Sequence, residues 1–96
     1  MEDLMHDLVL TPHTVVARWA NAALVVHAAG QEGGITQVCI NRRPDSDGRP
    51  AFQVTARMAP FAGLFPYGVT SVFELAERPP EIVVLTPAGT ERVPVV

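Results

Sequence analysis

Three histidines, one cysteine and a short acidic run are the residues of this 96-residue sequence whose chemistry reaches beyond packing. Their spacing decides what each can do. His6, His13 and His27 stand too far apart along the chain to form the short chelating pairs of a zinc site. Cys39 is the single cysteine, so neither an internal disulfide nor a multi-cysteine metal site can form. On an apolar strand it is expected to be a small buried hydrophobe. Asp45-Ser46-Asp47-Gly48 resembles a fragment of a calcium loop, but the remaining oxygen ligands and the closing Glu are missing. The same four residues are good turn formers. Ser46 and Ser71 lack the strand-to-helix elbow of a nucleophilic serine. Glu74 and Glu77 would fall on opposite faces of a strand, which does not suit paired acid–base work. No catalytic residue, cofactor or metal site is assigned from these patterns.

The basic residues are more informative. All seven are arginine, which excludes Schiff-base lysine chemistry and the lysine of a phosphate-binding P-loop. Arg42, Arg43, Arg49 and Arg57 cluster within one hairpin, where they could orient an acidic partner surface; Asp45 and Asp47 at the same tip offset part of that field. A net charge of −3 argues against general affinity for nucleic-acid phosphate.

The elements that would carry these residues read as strands. Over 35–58 the sequence forms a hairpin: Phe52, Val54, Ala56 and Met58 alternate with Gln53, Thr55 and Arg57, and 43–50 collects the Pro, Asp, Ser and Gly of a turn. The first arm is less regular, with Thr36, Val38, Ile40 and Arg42 on one face and Ile35, Gln37, Cys39 and Asn41 on the other. Residues 14–29 admit two readings. As strands, Val15, Ala17 and Trp19 face the core, 20–22 turn, and Leu24, Val26 and Ala28 return. As a helix over 12–29, Thr11 caps, Pro12 sits at the first turn and Gly30 stops it. The β-branched residues Thr14, Val15, Val16, Val25 and Val26 favour strands. The glycines of 30–34 read as a turn. Residues 59–68 combine loop punctuation with the apolar Phe61, Leu64, Phe65 and Tyr67, as either a lid on the core or a partner-binding surface. Downstream, 69–78 alternates, 82–86 is apolar on both faces, and 87–90 turns the chain back along 91–96, where Pro94 marks an edge.

Eight short strands punctuated by turns predict a small antiparallel β-sandwich, immunoglobulin-like in architecture, as a single domain over 1–96 with residues 1–6 as a frayed tail. The alternative is an α+β domain with the 12–29 helix packed on a sheet. With 48% hydrophobic and 18% charged residues, and no apolar run long enough to span a bilayer, the chain is expected to fold as a soluble domain, cytoplasmic or within a virion. The expected function is a non-catalytic protein-binding or assembly module, with a protein partner or further copies of itself in a homo-oligomer. Phe61, Leu64, Phe65, Tyr67, Arg42 and Arg43 would make the contacts. The alternative function, tied to the helical reading, is a ligand-binding domain or enzyme with a pocket near Trp19 and His27.

Overall fold

A computed structural model describes residues 8–60 and 63–96. The described chain is all strand: β1 (Leu8–Val9), β2 (Thr14–Ala20), β3 (Ala23–Gly33), β4 (Ile35–Ser46), β5 (Arg49–Met58), β6 (Leu64–Glu74), β7 (Glu81–Thr86) and β8 (Gly89–Pro94). No helix occupies 12–29. The hairpin β2–β3 stands there instead, and its turn residues Asn21 and Ala22 both take positive φ, at 53° and 61°. The β-branched side chains decided the matter because they pack along a pleated surface more readily than around a helix. The frayed tail expected at 1–6 lies outside the described residues.

Two sheets pack face to face. In the first, β5 pairs with β4 along one edge and with β1 and β7 along the other, and β7 carries β8. In the second, β3 lies between β2 and β6. The ladders are antiparallel apart from β5–β7, which is parallel. Between the sheets, Phe52, Val54, Ala56, Ile82 and Val84 from the first meet Ala17, Leu24, Val26 and Ala28 from the second. The rings of Phe52 and Phe73 join the two sheets, with centroids 4.7 Å apart and planes inclined at 53°. This is the offset, tilted contact that the aromatic quadrupole prefers.

Three local features depart from a simple alternating reading. The β4–β5 hairpin is longer and tighter than the 43–50 turn expected, since Ser46 opposes Arg49 and only Asp47 and Gly48 turn, both at positive φ. That is the Asp-Gly pattern of a two-residue hairpin. Between Thr36 and Cys39 the register slips, with Gln37 at φ 55°. This bulge resets which face each residue takes, so Ile35, Val38 and Ile40 all pack toward the core. Cys39, expected to be buried, alternates with the buried Ile40, stands on the other face and is exposed. Third, β3 runs on through the glycines of 30–33, and residues 64–67, expected as loop, form the strand that pairs with them.

The end of β8 crosses between the sheets. Val95 bridges to Ala17, Trp19 N–H donates to the Val96 carbonyl at 2.9 Å and Val96 N–H donates to Ala17 at 3.0 Å. The chain closes the outer edge of β2 with its own final residues.

Candidate functional site

The β4–β5 hairpin has two chemically different ends. Near one of them lie the β3–β4 turn, the end of β5 and the start of β6. Met58 is 71% exposed, Leu64 67% and Phe65 49%. They are held close because Ile35 pairs with Met58, Ala59 N–H donates to the Gly34 carbonyl at 2.8 Å, and Gly33 pairs with Leu64. Leu64 and Phe65 are consecutive on β6 and present their side chains to opposite faces of its sheet. Met58, read from the sequence as the last core-facing residue of its strand, is the residue of this cluster that periodicity misplaced. Phe61 lies outside the described residues.

Tyr67 behaves differently from Leu64 and Phe65. It packs against the core cluster and lies across Gly30, its partner on β3. Burial, and then the nearby Glu32 carboxylate, raise its phenol above the ordinary value of 10.0. It supports the end of the sheet rather than projecting from it.

Of the four hairpin arginines, Arg42, Arg43 and Arg49 lie toward the opposite end, whereas Arg57, paired with Thr36, stands next to Met58. Arg42 and Arg43 lie seven and eight residues along β4 from Ile35, roughly 20 Å away at about 3.3 Å per residue. The structure therefore does not bring them together with Leu64 and Phe65. Nor do they act as a pair. Arg42 opposes Phe52 and bonds to Asp45 at 3.3 Å, whereas Arg43 opposes Ala51 on the outer face. In that row Ala51 pairs with Val83 and Val83 with Arg92, so Arg43 shares its face with Arg92. Glu81 lies beside this row, ion-paired with Arg49 and 3.7 Å from Arg92. Arg92 is 50 residues from Arg42 in sequence, and only the β5–β7–β8 ladders reveal the grouping.

The remaining chemistry-bearing residues are dispersed. Trp19 faces the core, while His27 stands on the outer face with its Nδ1 2.7 Å from the Thr70 hydroxyl. The two side chains therefore stand on opposite faces of their sheet. Ser71 pairs with Val26 on the core side, away from His27. Asp45 and Asp47 belong to the tight hairpin, where Arg49 donates to the Asp47 carbonyl at 3.2 Å. Among the described residues, no three His, Cys, Asp or Glu side chains gather as metal ligands would, and none of the described residues forms a helix long and apolar enough to cross a membrane. Cys39 Sγ lies 3.4 Å from the Thr55 hydroxyl, which also accepts from Asn41 Nδ2 at 2.7 Å.

Comparison with protein-family models, curated proteins and solved structures returns no match to this chain. The functional reading rests on its own geometry.

Proposed function

We propose that this chain is a non-catalytic protein-binding or assembly module that engages its partner through the apolar end built by Met58, Leu64 and Phe65. The observation that carries the reading is the exposure of these three large side chains around one pair of connections. A cluster of this kind is costly to leave in water and becomes favourable on association, at roughly 25 cal/mol per Å² of apolar surface removed. The aliphatic and aromatic side chains would serve as anchors. The charged end, with Arg43 and Arg92, would orient the partner without dominating affinity.

A photo-reactive amino acid placed at Leu64 in the full chain, in living cells, tests this. The expected result is one discrete covalent adduct with a protein, weakened by Met58→Ser. The same probe at Thr90, an exposed residue of β8 outside both groups, serves as the comparison. Labelling at Leu64 no more specific than at Thr90 would overturn the proposal.

A further inference from the structure

The strand edges bordering the two sheets are not equally protected. β1 is two residues long. The outer edge of β2 is occupied by Val95 and Val96. β8 carries Glu91, Arg92 and Pro94, and β4 carries two register slips together with Arg42, Arg43 and Pro44. Shortness, coverage, charge, proline and bulges are the features that keep an edge from accepting another strand. β6 differs. It ends its sheet, runs for 11 residues and carries a single charge, Glu74, at its last position. β4, the neighbour on that side, belongs to the other sheet and forms no ladder with it.

The one proline of β6 indicates which groups face outward. Proline has no N–H to give to a ladder, so in an edge strand its nitrogen faces away from the paired side. Backbone direction alternates along an antiparallel strand, so Gly68, Thr70, Val72 and Glu74 face outward as Pro66 does. The side chains of Thr70, Val72 and Glu74 are exposed, while those of Val69, Ser71 and Phe73 turn partly inward.

We infer that two copies of this chain pair antiparallel through residues 68–74 of β6, about a two-fold axis at Ser71. This goes beyond the proposed function by adding a second surface, the half of β6 away from Leu64, with a second copy of the chain as its partner. In this register Gly68 opposes Glu74, Val69 opposes Phe73 and Thr70 opposes Val72 of the other copy. Pro66 falls outside the paired stretch. An axis at Thr70 would instead set Pro66 against Glu74 and lose a ladder donor. The charges also favour Ser71. Glu74 meets a residue without a side chain, beside which the His27 ring lies, its Cε1 3.7 Å from where a Cβ on Gly68 would stand. The carboxylate of one copy thus approaches the imidazole of the other, and no like charges are opposed. The pairing joins two three-stranded sheets into one of six, and Val69 against Phe73 is the β-branched–aromatic cross-strand pair that stabilises such ladders.

A cysteine at the axis tests this in the purified full chain. With Cys39→Ser removing the native thiol, Ser71→Cys places two thiols directly opposite each other, at a Cα separation a disulfide accepts. Mild oxidation is expected to give a covalent dimer from the Ser71→Cys protein and none from Thr70→Cys, since Thr70 opposes Val72. Light scattering of the native chain is expected to show a concentration-dependent doubling of mass. The exposed substitution Val72→Lys should weaken it about tenfold or more, with the β circular-dichroism signal kept. A monomer at all concentrations, cross-linking at Thr70 in place of Ser71, or a dimer indifferent to Val72→Lys would overturn the inference. The Leu64 probe in cells reports on the apolar end separately, so the two readings fail independently.

Discussion

The hydroxyl oxygen of Tyr67 lies 2.7 Å from the point where a Cβ on Gly30 would stand, directly across the β3–β6 ladder. A glycine in a strand has no side chain to pack, and a cross-strand aromatic ring lying over it supplies the missing cover. A second glycine, Gly33, sits near the end of the same ribbon with the Gly63 carbonyl oxygen 2.6 Å from its own Cβ position. The two sites predict different costs.

Gly30→Ala is expected to cost about 1 kcal/mol or slightly more, because the end of the Tyr67 side chain can give way. Gly33→Ala should cost more, since the opposing atom is backbone. In the double variant Gly30→Ala/Tyr67→Phe, removal of the hydroxyl should recover part of the loss and make the two changes non-additive. Urea denaturation of the native chain, the single variants Gly30→Ala, Gly33→Ala and Tyr67→Phe, and the double variant checks the order.

Tyr67 is the single tyrosine of the chain, so its ionisation can be followed without interference by ultraviolet difference absorbance. Burial first and Glu32 second raise its pKa above 10.0. The folded state therefore holds the proton more tightly than the unfolded chain. Its contribution to stability is fully present below the unfolded pKa, and it falls away as pH rises through the higher folded one. Glu32→Gln should lower the folded pKa only part of the way, since burial is the larger cause.

Asn21 and Ala22 form the two-residue turn between β2 and β3 with both φ values positive. An L-alanine in that conformation costs roughly 1–2 kcal/mol, and Asn-Gly is the pair such turns prefer. Ala22→Gly is expected to stabilise the fold by about 1 kcal/mol, after allowing for glycine's greater freedom in the unfolded chain. The thermal midpoint should rise accordingly. A fall would mean that the turn is held by contacts the dihedral argument does not include.

Phe52 is only 1% exposed and its ring meets Phe73 across the sandwich. Phe52→Ala should cost about 3–5 kcal/mol. Val95→Ala, where the chain crosses from one sheet to the other, should cost less, within about 1.5–3 kcal/mol for the whole buried side chain. It should also loosen the strip that covers β2. Hydrogen exchange at Trp19 N–H, which donates to Val96, would quicken more in Val95→Ala than the loss of global stability requires.

Local signals in the sequence were enough to establish the strand character of the domain and much of its alternation. Phe52, Val54 and Ala56 have the period of a one-sided strand, Asp47-Gly48 has the chemistry of a tight hairpin, and the apolar run at 82–85 is covered on both sides, as Ile82, Val83 and Val84 show. These patterns depend on neighbours within a few residues. The hairpin at Asn21 was harder to read because alanine stands where a glycine would announce the turn. The bulge at Gln37 was illegible because a non-glycine residue adopts positive φ there, and it brings Ile35 to the same face as Val38 and Ile40. Residues 30–33 and 64–67 look like loops when read alone, rich in glycine or broken by proline. They become strands because each supplies the other's ladder across the fold, from Gly30 with Tyr67 to Gly33 with Leu64. The separation of Arg42 from Leu64, and the grouping of Arg43 with Arg92, follow from strand order and register. Pairing between distant segments sets both, and the long-range hydrogen bonds and core burial that select one pairing leave no mark in the local pattern of either segment.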